Sequence, residues 1–140
     1  MNIQVIACGR FQGIFEHQLW DRYIKRIRFW KIKLIELPEQ EISLKTLKKY
    51  WNNESFLIIL DEQGNNISSK NFAKILQNAH KNTITIVIGG AYGLGNEIKD
   101  QADLLMAFGA MTWPHLLVRV LVAEQLYRCE QIVFGGPYHH

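Results

Sequence analysis

The sequence predicts a single α/β domain built on a largely parallel sheet with helices on both faces. Short apolar segments alternate with helical segments along the chain, which is the order that βαβ units give. Two of these segments, FLIIL (56–60) and ITIVI (84–88), are almost continuously apolar, with Thr85 as the one polar residue. Strands of this kind are buried on both faces, as in a covered parallel sheet. The 140 residues are enough for one core, so we expect residues 1–140 to form one domain.

Five strands are predicted from apolar runs and from the residues that end them. Pro38 ends the second strand, the polar stretch DEQGNNISS ends the third, and Gly109 interrupts the fifth. In chain order, the predicted strands are residues 3–7, 33–37, 56–60, 84–88 and 104–111.

Helices are predicted between and after these strands. Ser43 is a candidate N-cap for a short helix over LKTLKKYW, and Ser68 or Ser69 for one over KNFAKILQNAHK. The segment 116–127 is apolar nearly all round, and a domain of this size has little interior left to bury it. The sequence therefore predicts a homodimer with this helix in the interface. The other predicted helices cover about 15–28, 95–103 and, including the apolar segment, 115–132.

Composition and charge exclude several classes of protein. The net charge of +3, from 16 Lys and Arg against 13 Asp and Glu, is mild, and DNA is not an expected partner. No apolar run reaches the roughly 18 residues of a membrane helix, and MNIQVIACGRF lacks the features of a signal peptide. We therefore expect a cytoplasmic protein without a membrane partner. Cys8 and Cys129 are far apart and outside any ligand motif, so no metal site is predicted.

One segment concentrates basic residues. DRYIKRIRFWKIK (21–33) has six of them among aromatic residues, a pattern that RNA-binding proteins use for phosphate contact and stacking. The segment also fits an amphipathic helix, with Tyr23 and Ile27 on the apolar face and Arg22 and Lys25 on the solvated face. Solvated basic faces are common, so the amphipathic helix is the favoured interpretation.

Two loops are suited to bind a ligand. In VIGGAYGLG (87–95) a strand runs into two glycines, which lets a ligand approach the backbone, although neither G-x-G-x-x-G nor a P-loop is present. This cluster is equally compatible with a plain strand-to-helix turn. In AFGAMTWPHLLVRV (107–120), small residues beside Trp113 could enclose an adenine between apolar walls and backbone groups.

Two side chains next to the second loop require a separate explanation. His115, at a helix N-terminus, is expected to be neutral, and a capping or core role is its more common explanation. Arg119 has no carboxylate three or four residues away along the helix. Because a buried arginine needs a partner, Arg119 requires a distant carboxylate, a helix end or an anionic ligand.

Three stretches together resemble a known family. VIGGAYGL (87–94), MTWPHLLVRVLVAEQLYR (111–128) and the terminal PYHH (137–140) are similar to the bacterial large-subunit (23S) ribosomal RNA pseudouridine methyltransferases of the SPOUT class. VIACGRF and LIILDEQGNNISS match in type and order, so the resemblance spans nearly the whole chain. Ala91 and Trp113 differ from the residues that many relatives have, and the segment 38–54 is shorter.

The resemblance implies a fold and a cofactor. Members are α/β homodimers whose C-terminal segment forms a deep trefoil knot, and the knot binds S-adenosylmethionine. The implied reaction methylates a ring nitrogen of a pseudouridine in 23S rRNA, with the assembled ribosome as substrate. The cofactor residues that the resemblance implies are Leu60, Gly89, Phe108, Gly109, Ala110, Met111, Thr112 and Trp113.

The same resemblance gives the terminal residues a role. Tyr138 and His139 are expected to reach across the dimer interface towards the partner's cofactor, with His139 as the base and Tyr138 orienting or stacking on the target. Arg119 is expected to hold phosphate or the developing ring charge. Two alternatives are weighed against this interpretation. The intact glycine turn and PYHH tail argue against a non-catalytic RNA-binding dimer of the same fold, and a small flavodoxin-like or receiver-like domain would not explain the apolar C-terminal helix.

Overall fold

A sheet of five parallel strands forms the centre of the structure. The structure is a computed structural model and describes residues 1–38 and 42–140. In the described residues the strand order is β2-β1-β4-β3-β5, and every paired strand is parallel to its neighbour. The predicted parallel sheet is therefore confirmed. The strands are β1 (Asn2–Cys8), β2 (Lys31–Leu37), β3 (Ser55–Asn66), β4 (Thr83–Ile88) and β5 (Leu104–Ala107).

Helices cover both faces of the sheet, as predicted. Neighbouring residues of β1 point to opposite sides, so Val5 belongs to one buried cluster and Ile6 to another. The first cluster includes Trp20, Phe72 and Leu126 from three helices, and the second includes Leu47 and Ile98 from two short ones. The helices are α1 (Ile14–Ile24), α2 (Leu44–Leu47), α3 (Ser69–Asn78), α4 (Asn96–Lys99) and α5 (His115–Phe134).

The helix caps follow the sequence closely. The Ser43 hydroxyl accepts a hydrogen bond from the Thr46 amide, and the Ser68 hydroxyl accepts one from the Asn71 amide. Of the two serines considered for α3, Ser68 is thus the cap. The C-terminal end of α5 is capped by Gly135, whose φ of +74° is the left-handed conformation that glycine adopts without strain. The shortened segment 38–54 includes residues 39–41, which lie outside the described residues.

The third strand is longer than predicted. It continues through the polar stretch to Asn66, because Asn65 and Asn66 pair with Met106 and Ala107 after a bulge. Gly64 makes this pairing possible, since a Cβ there would lie 2.6 Å from the Met106 carbonyl carbon. The prediction that the polar stretch ends the strand was therefore wrong, and the extension brings polar side chains beside β5.

The first helix is shorter than predicted and ends at Ile24. The backbone amides of Arg28, Phe29 and Trp30 donate to the carboxylate of Glu130, at distances of 2.9, 2.9 and 3.1 Å. Glu130 is fully buried on α5. Its carboxylate binds amides that a longer helix would have used internally, so the chain turns into β2 instead.

The long apolar helix α5 packs within its own chain. It lies against α1 and α3, and its buried residues include Val122, Ala123 and Leu126. The premise that one domain cannot bury this helix was therefore wrong, because α1 and α3 cover it. The homodimer and the trefoil knot stay predictions. Within residues 1–38 and 42–140, no helix combines the length and the hydrophobicity needed to cross a membrane.

Candidate active site

A cavity of about 690 Å³ lies at the carboxyl ends of β4 and β5, beside the bulge of β3. Ligands of parallel α/β sheets bind at this edge. Seven of the eight predicted cofactor residues line the cavity; Ala110 lies in the same loop but is exposed and outside the lining. The seven are Leu60, Gly89, Phe108, Gly109, Met111, Thr112 and Trp113.

The loop 108–113 is closed by one internal hydrogen bond and fixed to β3 by two others. The Trp113 indole donates to the Phe108 carbonyl over 3.1 Å, which joins the two ends of the loop. The Gly109 amide donates to Asn66 Oδ1 over 3.1 Å, and the Thr112 hydroxyl donates to Glu62 over 2.6 Å. Gly109 has a φ of +95°, a conformation that L side chains rarely adopt. The β3 extension therefore positions the loop.

The glycine turn after β4 forms another wall. The Gly93 amide donates to the Gly90 carbonyl over 3.0 Å, and Gly93 has a φ of +72°. Gly89 faces this turn closely, since a Cβ there would lie 3.0 Å from the Gly93 carbonyl carbon and 3.1 Å from Leu94 Cγ. Gly89 therefore allows the turn to fold back on the end of β4.

Polar side chains from the β3 extension also line the cavity, and the sequence-based prediction did not include them. Asp61 forms a 2.8 Å ion pair with Lys99 of α4, and both side chains are largely buried. Burial favours a higher pKa for Asp61, but the hydrogen bonds from Lys99 and from the Gln63 amide outweigh it and lower the pKa. Glu62 and Gln63 complete this polar side. The sequence feature that could have indicated these cavity residues is the stretch DEQG (61–64), which begins directly after a predicted buried strand.

His115, the first residue of α5, lines the cavity beside Pro114. Burial lowers its pKa, and the positive charge of Arg119 lowers it further. The expectation of a neutral imidazole is supported, although burial rather than the helix end is the main cause. Among the described residues, no group of three or more His, Cys, Asp or Glu side chains is arranged to hold a metal ion.

Arg119 lies outside the lining of the cavity and is fully buried. Its guanidinium donates to Glu36 over 3.3 Å, to the Gly9 carbonyl over 2.8 Å and to the Cys8 carbonyl. It also lies 4.9 Å from the centre of the Phe11 ring. Of the partners that the sequence left open, a carboxylate is thus the one found. The pair connects α5 to the ends of β1 and β2.

The terminal residues lie against the second half of α5. The Tyr138 hydroxyl donates to Glu124 over 3.1 Å, and its ring lies 4.6 Å from the Tyr127 ring. His139 Nδ1 is 3.3 Å from an Arg128 guanidinium nitrogen. Burial, followed by hydrogen bonding with Tyr23 and the charge of Glu124, raises the pKa of Tyr138 to about 12.

The tail and the cavity of one chain are separated along α5. The cavity contacts the helix at His115 and Val118, whereas the tail contacts it at Glu124 and Arg128. With a rise of about 1.5 Å per residue, His115 and Glu124 are roughly 14 Å apart along the axis. The structure therefore brings Tyr138 and His139 together but does not bring them to the cavity of the same chain.

Comparison with known proteins decides the family. A family model described as a predicted SPOUT methyltransferase matches residues 1–139. The chain belongs to the SPOUT methyltransferase family. The resemblance found in the sequence is thus confirmed, and the receiver-like alternative is set aside.

Curated relatives match over their full length. The ribosomal RNA large subunit methyltransferase H of Bradyrhizobium diazoefficiens is 37% identical over 158 residues, which covers 99% of each chain. Proteins of the same name from Cereibacter sphaeroides and Clostridium perfringens are each 36% identical, again over 99% of both chains.

A solved structure supports the fold of this SPOUT methyltransferase. A probable methylase family protein from Haemophilus influenzae superposes with a TM-score of 0.63, covering 99% of this chain and 70% of that one. The sequence identity is 13%, so this likeness concerns the fold alone. As a methyltransferase the chain requires a methyl donor, and the cavity between the 60–63, 88–94 and 106–115 segments is the candidate site for it.

Proposed function

We propose that this chain transfers the methyl group of S-adenosylmethionine to a ring nitrogen of a pseudouridine in 23S rRNA of the assembled ribosome. One observation carries the proposal: the loops that the resemblance assigns to the cofactor line one cavity at the carboxyl edge of the sheet. The full-length relatives named ribosomal RNA large subunit methyltransferase H support the choice of RNA. A cytoplasmic location follows from a ribosomal substrate.

The residues around the cavity fit S-adenosylmethionine. The cofactor has a flat adenine, a ribose diol and a cationic sulfonium, and it supplies an electrophilic methyl group. Met111 and Trp113 are 76% and 44% exposed, so a bound adenine would cover apolar surface that is open in the free chain. The carboxylates of Asp61 and Glu62 suit the diol and the positive charge. A volume of about 690 Å³ is in the range of cofactor sites.

The acceptor nitrogen of pseudouridine carries a proton that must leave as the methyl group arrives. We propose that His139 accepts this proton, because imidazole is the side chain best matched to proton transfer near neutral pH. Tyr138, with a pKa of about 12, stays protonated and so donates a hydrogen bond rather than acting as the base. Its ring can stack on the target base.

We propose that the tail completes the cavity of a partner subunit. In one chain the tail lies near Glu124 and Arg128, well along α5 from the cavity, which favours action in trans. A dimer is further supported by exposed apolar side chains on two helices that pack together: Ile14, Phe15 and Leu117. Burial of these side chains by a second copy would supply the association free energy.

For Arg119 we propose a positioning role in this reaction. Direct contact with RNA or with the ring would require the guanidinium to leave Glu36 and the carbonyls of Cys8 and Gly9. Breaking a buried pair of this kind is costly. The residue therefore acts through the ends of β1 and β2, which it holds against α5.

Three measurements test the proposal. Isothermal titration calorimetry of the full chain with S-adenosylmethionine tests the cofactor, and the dimer mass is measured in the same buffer. Ribosomes from a strain that lacks the gene are incubated with protein and cofactor, and mass spectrometry of their 23S rRNA before and after incubation tests the substrate. Binding of the cofactor without any added methyl group on the RNA would favour a non-catalytic RNA-binding dimer instead.

A further inference from the structure

The positive charge of the chain is concentrated in one short segment. Residues 21–33 carry six basic side chains and one acidic one, whereas the rest of the chain carries ten basic and twelve acidic ones. The single acid, Asp21, lies 3.7 Å from His17 on the same helix. The net positive charge of the chain therefore comes entirely from this segment.

The structure exposes all six basic side chains. They lie on the last turns of α1, on the turn that follows it, and on β2, one of the two edge strands of the sheet. Within the described residues none of the six forms an ion pair. We call this surface the basic edge; its members are Arg22, Lys25, Arg26, Arg28, Lys31 and Lys33.

An exposed aromatic pair includes Phe29, which lies between Arg28 and Lys31 of the basic edge in the sequence. Phe29 and Phe134 stack with ring centres 4.2 Å apart, and they are 59% and 51% exposed. Phe29 is held in this position by its amide, which donates to the buried carboxylate of Glu130 over 2.9 Å. Aromatic faces beside basic side chains are the combination that binds unpaired bases and backbone phosphates of RNA.

The basic edge is joined to the tail. The Arg26 guanidinium lies 4.4 Å from the centre of the Tyr127 ring and 5.5 Å from that of Tyr138. The Arg128 guanidinium also lies over the Tyr138 ring, 4.7 Å from its centre. A polyanion on the basic edge would thus extend directly to Tyr138 and His139.

We propose that the basic edge docks the phosphate backbone of ribosomal RNA and delivers the target nucleotide to the adjoining tail. The inference rests on the proposed function and adds the surface that holds the substrate. A solvated helix face would explain exposed charges on α1 alone, but it does not explain Lys31 and Lys33 on the edge strand or the exposed pair Phe29–Phe134. A surface that binds RNA accounts for the charges on α1, for the two lysines on β2 and for the aromatic pair.

The test uses two triple variants of the full-length protein. The first variant, Arg28→Gln, Lys31→Gln and Lys33→Gln, removes three of the six positive charges of the basic edge but keeps part of each apolar stem. It does not change Arg26, which contacts the Tyr138 ring of the tail. The matched control, Lys48→Gln, Lys70→Gln and Lys74→Gln, neutralises three exposed lysines on other surfaces. Affinity for ribosomes from a strain lacking the gene is measured at several salt concentrations.

The basic-edge variant is expected to bind ribosomes at least tenfold more weakly. The slope of log affinity against log salt should become less steep by about 0.7–0.9 for each RNA phosphate that the variant no longer neutralises. The control should keep the wild-type slope, and turnover at saturating ribosome should change little while KM rises. Equal slopes for wild type and the basic-edge variant, or an equally large decrease in affinity for both variants, would overturn the inference.

The two proposals fail in different ways. If wild-type protein neither binds ribosomes nor methylates their RNA, the proposed function fails. If wild type methylates the RNA and the basic-edge variant does so with the same KM and salt dependence, only the docking surface fails. Titration with S-adenosylmethionine should give the same affinity in wild type and both triple variants.

Discussion

The Tyr138 hydroxyl donates to Glu124 of the same chain over 3.1 Å, which holds the tail on the second half of α5. Glu124 also pairs with Arg128, and Arg128 in turn lies 3.3 Å from His139. The two proposed active-site residues of the tail are thus held together by one carboxylate–guanidinium pair. Because the cavity contacts the other end of α5, we propose that the tail of a second chain completes the site.

Mixed dimers test this requirement. A chain with the substitution Gly89→Val keeps its tail but has a damaged cavity, and a chain truncated before Tyr138 keeps its cavity but lacks the tail. Each homodimer should be inactive, whereas the mixed dimer has one complete site and should recover up to about half of wild-type turnover if the two sites are independent. Differently tagged chains allow the mixed species to be purified. A mixed dimer without activity would show that the tail does not act in trans.

Substitution of His139 tests proton removal. The change His139→Ala should lower turnover by about 10²–10⁴-fold, the usual contribution of a general base, while cofactor affinity stays unchanged. Tyr138→Phe is the matched variant, because it keeps the ring and loses only the hydroxyl, with its hydrogen bonds to Glu124 and Tyr23. It should cost much less in turnover. An increase in KM alone for His139→Ala would indicate RNA positioning instead of base catalysis.

Gly89 tests the placement of the cofactor. In Gly89→Val the new Cβ would lie 3.0 Å from the Gly93 carbonyl carbon, so the turn lining the cavity must move. Affinity for S-adenosylmethionine should fall at least tenfold, about 1.4 kcal/mol. Gly95→Ala is the control, since its Cβ would have Glu97 Cγ at 3.9 Å as its only close neighbour in the described chain. Calorimetry that gives wild-type affinity for Gly89→Val would contradict this cavity assignment.

The sequence was sufficient to predict those features of the fold and of the cavity that depend on a local pattern of residues. The apolar runs predicted the parallel strands, and because such strands end at one edge, the glycine turn and the 108–113 loop line one cavity. Other features depend on partners far along the chain. The end of α1 depends on Glu130, and the extension of β3 depends on the close approach of Gly64 to Met106. Neither partner is marked by a sequence motif.

The partner of Arg119 was unpredictable for the same reason. Glu36 lies 83 residues away, and the other two acceptors are backbone carbonyls, which any residue provides. Arg119→Met should therefore lower the free energy of unfolding by on the order of 3 kcal/mol, since it removes the guanidinium from these carbonyls and leaves Glu36 with the Phe11 amide but without its cationic partner. Arg22→Met, at an exposed position, should stay within about 0.5 kcal/mol of wild type.

Urea unfolding at fixed protein concentration measures both variants. A stable Arg119→Met protein that binds S-adenosylmethionine normally yet loses turnover would contradict the positioning role. It would restore the expectation that the guanidinium contacts the substrate directly.

His115 gives the chain a stability that depends on pH. Burial and the charge of Arg119 lower its folded pKa below the ordinary value of about 6.5. As the pH falls through about 6.5, the unfolded chain binds a proton that the folded chain does not, so the free energy of unfolding falls. The contribution of His115 to the free energy of unfolding is complete above about pH 6.5, and it is lost as the pH falls through the lower pKa of the folded chain. His115→Gln, which never titrates, should lack this component.

The measurement is the difference in unfolding free energy between wild type and His115→Gln from pH 8 to pH 5. Wild type should lose stability relative to the variant as the pH falls below about 6.5. The lowered pKa of Asp61 acts in the same direction but below its ordinary value of 3.8, so the two groups titrate in separate windows. A difference that is constant across this range would mean that the imidazole is equally easy to protonate in the folded and unfolded chains. His115 would then be neither buried enough nor close enough to Arg119 to remain neutral beside the cavity.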